Sequence, residues 1–373
     1  MVSAGAVLLL LAQVTTRDVH AIETIAREMI LVDAATGTVL AEKEPDERMP
    51  PSSMSKLMTL YVAFELLRDG KLRLEDSFRV SEKAWRMGGS KMWVQVDTKV
   101  TVEELLKGII IQSGNDACIV LAEGISGSEE AFAELLNKRA KEIGLAHSHF
   151  KNATGWPDPD HYMTARDLAI LAYHLVNDFP DFYRVFSEKS YTYNKITQGN
   201  RNPLLYNYAG GDGLKTGHTE EAGYGLTASA IRDGRRLILV VNGLAGVNER
   251  ARETERLLDI GFNEFKNYFI FKAGERVYDM PVWLGTSDVV PAVVPNDIVV
   301  TLPKRASKSV SIRVVAPGPA HAPVAKDSKI AKLVISAPDF GPIESKLVAG
   351  ASVEEVSGFG RIGPAISRLF SGD

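Results

Sequence analysis

The chain holds a single cysteine, Cys118, among 373 residues, so no internal disulfide can form. Set in the apolar run 117–121, that thiol reads as a small buried core residue. A basic excess is also missing. The formal net charge is -4 and the pI is near 6.0, which leaves no general attraction for a phosphate backbone and argues against a nucleic-acid partner. No segment is apolar over the length needed to span a bilayer. No internal repeat is found, and the 45% hydrophobic and 24% charged content is that of an ordinary globular protein. No metal site and no cofactor are expected.

The N-terminus speaks to location. Residues 4–14 form an apolar stretch of signal-peptide length, and Val19-His20-Ala21 places small residues at the −3 and −1 positions of a cleavage site. A leader at 1–21 and export to the periplasm or the outer face of a bacterial cytoplasmic membrane are therefore expected. No Lys or Arg precedes the apolar run, so either the leader is atypical or the true start differs from Met1, and a buried first helix is the alternative reading. At the other end, Ile362, Ile366, Leu369 and Phe370 share a helical face with Arg361 and Arg368 elsewhere. A tail at 354–373 of this kind suits peripheral contact with a membrane surface or packing on its own domain.

Between these ends the apolar pattern changes period. Residues 29–33 and 38–41 flank a polar turn, which predicts a β-hairpin. From Ser53 onward, Met54, Leu57, Met58, Tyr61, Phe64 and Leu67 recur at spacings of three and four, predicting a helix ended by Asp69-Gly70. Further helical regions are expected over 102–127, 165–176 and 250–265. Residues 212–244 carry three apolar runs, the last two joined by Asp233-Gly234, which predicts an antiparallel meander. Near residue 268 the composition shifts to short β-type runs punctuated by Pro, Gly and Asp. A main domain over 22–268 and a small all-β domain over 269–353 follow.

A serine hydroxyl is a weak nucleophile until a fixed base takes its proton. Ser53-Met54-Ser55-Lys56 offers such a pair, since positions i and i+3 share a helix face. Unpaired N–H groups at a helix start would stabilise developing negative charge there. Burial and neighbouring cations can make a lysine neutral enough to act as base. The motif alone decides little: Ser148-His149-Phe150-Lys151 repeats the spacing, and an N-cap role would explain Ser53 as well. Two further motifs accompany it. Ser113-Gly114-Asn115 puts a hydroxyl and an amide on a break between helices. Lys215-Thr216-Gly217 lies on the first meander strand, whose edge can receive an extended peptide, with Gly217 leaving room for it.

In this order, the three motifs resemble the active-site set of penicillin-binding proteins and serine β-lactamases. The stretches 51–59 and 212–219, then Ala222-Gly223-Tyr224, Asn200-Arg201-Asn202 and Arg250-Ala251-Arg252-Glu253, look like those of low-molecular-mass D-alanyl-D-alanine carboxypeptidases. The resemblance runs from about 24 to 350. It implies an α+β fold, with a β-lactamase/transpeptidase-like domain, an antiparallel sheet flanked by helices, followed by a small all-β domain. It implies removal of the terminal D-alanine from peptidoglycan pentapeptide stems through a serine acyl-enzyme, a part in cell wall biogenesis and cell shape, and covalent inhibition by β-lactam antibiotics. Carried over, Ser53 is the nucleophile, Lys56 its base, Ser113 the proton shuttle and Asn115 the group orienting Lys56 and the substrate amide. Lys215 and Thr216 serve the substrate carboxylate, with Arg201 or Arg250 completing that site. The N–H groups of Ser53 and His218 form the oxyanion hole, and Asp167 braces the loop at 152–163.

A serine β-lactamase shares fold and motifs, but class A enzymes activate the deacylating water with a loop glutamate. No glutamate occurs between Glu142 and Glu188. A catalytically silent cell-wall binding protein would be expected to lose a motif serine or lysine, and none is lost. A muropeptide endopeptidase is a third alternative, against which the β module after 270 argues.

Overall fold

The computed structural model describes residues 22–305, 309–337 and 340–356. The leader at 1–21 and residues 357–373 of the expected tail lie outside them. The chain divides into two compact units, Ala21–Asn263 and the residues from Glu264 onward.

In the first unit, β1 (Glu28–Asp33) and β2 (Val39–Lys43) form the expected hairpin. A 3₁₀ turn (Ser52–Ser55) leads into α1 (Lys56–Arg68). A small pair, β3 (Ser77–Arg79) and β4 (Lys99–Thr101), encloses α2 (Glu82–Arg86). Next come α3 (Val102–Ile111), α4 (Asn115–Ser126), α5 (Glu129–Glu142), α6 (Ala165–Asp178) and α7 (Pro180–Tyr183). The pair β5 (Ser190–Tyr193) and β6 (Ile196–Gly199) and the short α8 (Leu204–Asn207) precede the meander β7 (Gly211–Thr219), β8 (Gly223–Arg232) and β9 (Arg235–Leu244). The last helix, α9, runs Val247–Glu264, starting before the predicted Arg250.

The main sheet is antiparallel, in the order β2-β1-β9-β8-β7. The hairpin from β8 to β9 turns on Asp233 and Gly234, both at positive φ (50° and 75°), the two-residue geometry that matches strand twist. The first two strands join through β1 against β9, so the N-terminal hairpin completes a sheet begun some 180 residues later. Chain order alone could not announce that pairing. Helix α1 is buried from Lys56 through Phe64, as befits a helix at the centre of the core. Its apolar residues pack with those of α3, α4 and α6 and with Ile238 and Val240 of the sheet. Helix α3 starts on a capping box, Thr101 with Glu104, and α4 ends at Gly127 in the left-handed region. Strand β7 is an outer strand, and its free edge lies beside the 3₁₀ turn.

The second unit is all-β. It comprises β10 (Phe265–Phe271), β11 (Arg276–Trp283), β12 (Val289–Val293), β13 (Ile298–Pro303), β14 (Ser311–Val315), β15 (Ala320–His321), β16 (Lys329–Ala337) and β17 (Phe340–Ala349). One sheet pairs β10 with β13; the other runs β14-β16-β17-β12-β11-β15. Met280, Val290, Val300, Leu333 and Leu347 belong to a core of its own. The expected α+β domain with a following all-β module is thus the observed architecture.

Candidate active site

Ser53 lies in the 3₁₀ turn rather than at the N-cap of an α-helix: Pro51 caps the turn, Ser55 precedes α1, and neither makes a side-chain cap bond. The capping explanation of Ser53 is therefore excluded. In a 3₁₀ turn, residues three apart eclipse one another, which brings Lys56 directly over Ser53. Their Nζ and Oγ atoms are 3.0 Å apart. Ser53 is also the one residue of 51–64 that is not fully or largely buried before α1 emerges at Glu65. Ser52, just before it, has φ of 50°, a strained conformation for a side-chain-bearing residue.

Lys56 has no exposed surface. Besides Ser53 it reaches Asn115 Oδ1 at 2.7 Å and the Thr154 carbonyl at 2.5 Å. Burial pulls its pKa down to about 8, and the Arg201 charge adds to that, against an opposing pull from Asp116. A neutral amine keeps two N–H donors and one lone pair. Asn115 and Thr154 take the two donors, and the lone pair faces the Ser53 hydroxyl.

Ser113 and Asn115 stand on the break between α3 and α4. Ser113 has φ of 59°, and its buried Oγ has no protein partner. Asn115 also donates from Nδ2 to the Gly88 carbonyl (2.9 Å), and its backbone N–H to that of Ser90 (2.7 Å). The segment carrying these carbonyls is held by Asp116, whose fully buried carboxylate accepts from the N–H groups of Met92, Trp93 and Val94 at 2.8, 2.9 and 3.2 Å.

The loop at 152–163 supplies the Thr154 carbonyl. Asn152 Oδ1 accepts from the backbone of Thr154, Gly155 and Trp156, curling the chain so that the carbonyl points at Lys56. Gly155 sits at φ of 76°, and a Cβ there would come within 1.8 Å of the Ser52 carbonyl. Only glycine lets the loop lie on the turn that carries Ser53. His161, almost fully buried, bonds Ser55 Oγ at 2.7 Å, and burial pushes its pKa down to about 4. The expectation that Asp167 braces this loop is corrected. Its carboxylate accepts from His147 N–H (2.9 Å) and Ser148 Oγ (2.6 Å), fixing the chain just before the loop. The decoy serine is thereby engaged in a structural bond, with Lys151 exposed.

Strand β7 closes the opposite side. Lys215 and Thr216 are buried, and Lys215 Nζ bonds the Thr216 carbonyl at 3.2 Å. The missing side chain of Gly217 also serves packing. A Cβ there would meet the Pro51 carbonyl at 3.0 Å and Met54 Cγ at 3.1 Å, so the glycine seats β7 against the 3₁₀ turn. His218 is exposed and stacks on Tyr224, with ring centroids 3.9 Å apart. Arg201 bonds Ser90 Oγ at 2.6 Å, and Arg250 reaches the Arg201 carbonyl at 3.4 Å. Arg250 Nε is buried without a protein partner.

These cations share one field. Lys215 is pushed well below the usual lysine range by burial, then by Lys56 and Arg201; Arg250 falls to about 10 through burial, with Arg201 contributing. Four basic side chains thus converge where the Asp116 carboxylate is spent on backbone N–H groups. Such a well favours an anion. Thr154, Asp116, Ser90 and His161 were missed in the sequence. The first acts through its main chain, which no side-chain pattern reveals; Asp116, directly after the Ser113-Gly114-Asn115 motif, was the one with a signal.

A serine with a buried lysine over it, a second hydroxyl on a helix break and a cationic outer strand, on a five-stranded antiparallel sheet, define a serine acyl-transferase of the penicillin-recognising class. The family model for D-alanyl-D-alanine carboxypeptidases matches residues 14–245, and that for the penicillin-binding protein 5 C-terminal domain matches 265–355. The D-alanyl-D-alanine carboxypeptidase DacA of Haemophilus influenzae is 36% identical over 344 residues, covering 91% of this chain and 86% of that protein. DacF of Bacillus subtilis is 40% identical over 265 residues, covering 70% and 68%. Among solved structures, penicillin-binding protein 5 of Haemophilus influenzae matches with a TM-score of 0.83 at 36% identity, covering 89% of this chain and 98% of that one. Penicillin-binding protein D2 of Listeria monocytogenes, in its ampicillin-bound form, matches with a TM-score of 0.59 at 28% identity over 64% of this chain and 98% of that one. The chain belongs to the D-alanyl-D-alanine carboxypeptidase family and carries the family's penicillin-binding-protein C-terminal domain.

Proposed function

We propose that this carboxypeptidase removes the terminal D-alanine of peptidoglycan pentapeptide stems through an ester on Ser53. The observation that carries the reading is the pairing of Ser53 with a fully buried Lys56 whose pKa is drawn down to about 8. Lys56 takes the Ser53 proton as Oγ attacks the carbonyl between the two D-alanines. The N–H groups of Ser53 and His218 receive the oxyanion, a contribution typically worth about a hundredfold or more in rate. Ser113 passes a proton to the departing amine as the C–N bond breaks. Water then cleaves the ester and releases the shortened stem. The substrate's terminal carboxylate lies among Lys215, Thr216, Arg201 and Arg250. Its charge offsets their mutual repulsion, so substrate binding favours the protonated form of Lys215.

Ser53→Ala is expected to abolish D-alanine release from diacetyl-L-Lys-D-Ala-D-Ala. Penicillin is expected to leave a long-lived adduct on the tryptic peptide containing Ser53, because the loop at 152–163 carries no glutamate to activate water. Rapid turnover of penicillin, followed by mass spectrometry of the intact protein, would assign the chain to the β-lactamases. Peptide binding without D-alanine release from the unaltered enzyme would assign it to silent wall-binding proteins.

The roles in cell wall biogenesis and cell shape follow from that substrate. Export through the leader at 1–21 would place the enzyme where its substrate is. The tail beyond 353 would hold it at the membrane surface through the apolar face of Ile362, Ile366, Leu369 and Phe370.

A further inference from the structure

Three of the chain's four tryptophans are partly exposed in the catalytic unit, and one of them is fixed against the site. Trp156 leaves 47% of its surface exposed, yet its backbone is tied on both sides. Its N–H donates to Asn152 Oδ1 and to Thr154 Oγ1, and its carbonyl accepts from Asn152 Nδ2 at 3.0 Å. It thus belongs to the turn whose Thr154 carbonyl holds Lys56.

The indole lies over Gly88 and Gly89. A Cβ on Gly89 would lie 3.1 Å from Trp156 Cζ3 and 2.8 Å from Asn115 Nδ2, so the ring and the Asn115 amide face the same glycine. A solvated indole would ordinarily fold onto apolar neighbours. Here it is seated on side-chain-free backbone, close to the Asn115 amide, while about half of its surface stays exposed. A rigid aromatic ring offers contact area at low entropic cost, which is what a binding platform requires.

We infer that Trp156 is a specificity-determining residue that covers the acyl-side group of the substrate, the part preceding the D-alanine that becomes esterified to Ser53. This rests on the proposed function and on the role that the family resemblance gives Asn115, that of orienting the substrate amide. The group that follows that amide is the one that would reach the Trp156 ring, since ring and amide face the same glycine. The fitting group is an aliphatic or aryl chain, such as an N-acylated diamino acid side chain or the side chain of a penicillin.

Second-order acylation rates test this with two β-lactams, benzylpenicillin, which has an aryl acyl group, and 6-aminopenicillanic acid, which has none. Trp156→Ala is expected to slow benzylpenicillin about tenfold, the usual scale for losing one buried aromatic contact, while changing 6-aminopenicillanic acid less than twofold. Trp156→Phe should recover most of the loss. With diacetyl-L-Lys-D-Ala-D-Ala, the alanine variant should raise KM more than it lowers kcat. Equal slowing of both β-lactams would mean that Trp156 acts through the loop and Lys56, and no change in either would mean that it touches no ligand; each result overturns the inference. Failure of the unaltered enzyme to be acylated by either compound would instead refute the Ser53 reading.

Discussion

Lys56→Ala is expected to slow acylation of Ser53 by about 10²- to 10⁴-fold, the usual worth of a positioned general base. Lys56→Arg should be as inactive. Arginine keeps the positive charge but cannot give up its proton, so the pair of variants separates a base from an electrostatic partner. The pH profile provides the sign. Burial favours the uncharged amine and places the Lys56 pKa at about 8, so its base form is the minority at pH 7 and the majority at pH 9. Acylation by a penicillin should therefore rise with pH through a midpoint near 8. Below it, the rate should fall about tenfold per unit as the lone pair is lost to a proton. A flat profile from pH 6 to 9 would show that another group takes the Ser53 proton. Stopped-flow acylation measures this step directly, and an ester trapped by penicillin keeps it apart from deacylation.

Asp116→Ala is expected to cost about 3–5 kcal/mol of stability and most of the activity. The carboxylate has no exposed surface, and its partners are main-chain donors: Met92, Trp93 and Val94, together with Ala117 N–H at 2.9 Å. Removing it leaves these N–H groups buried and unpaired, and each such loss is expensive. It also frees the segment that presents the Gly88 and Ser90 carbonyls to Asn115 and the Ser90 hydroxyl to Arg201. Asp116→Asn should fall between, since one carbonyl oxygen can serve only part of the set. Urea denaturation and penicillin labelling read the two consequences independently. A loss below about 1 kcal/mol would mean that water replaces the carboxylate at little cost.

The behaviour of the paired serine motifs explains what a linear pattern can and cannot carry. Ser53 and Ser148 have the same spacing to a lysine. In the fold, Ser148 spends its hydroxyl on Asp167, while Ser53 has a lysine stripped of water above it. Spacing predicts proximity; it does not predict dielectric. Gly217 makes the same point from the other direction, since a missing side chain is legible in a linear pattern but the packing it permits is not. The absent side chain matters on the face packed against Pro51 and Met54, a contact made between strand β7 and a turn more than 150 residues earlier.

By itself the sequence determined the alternation of helical and β periods, the Asp233-Gly234 turn, the all-β character of the C-terminal module and the chemistry available in Ser53, Lys56, Ser113, Asn115 and Lys215. All of these are local properties of spacing and residue type. Only the tertiary structure decided that β1 pairs with β9, that Lys56 is buried deeply enough for its pKa to fall to about 8, that a main-chain carbonyl at Thr154 completes its bonding, and that Asp116 is consumed by backbone donors. Burial, electrostatic field and main-chain direction arise from contacts between residues distant along the chain, and no one-dimensional spacing encodes them.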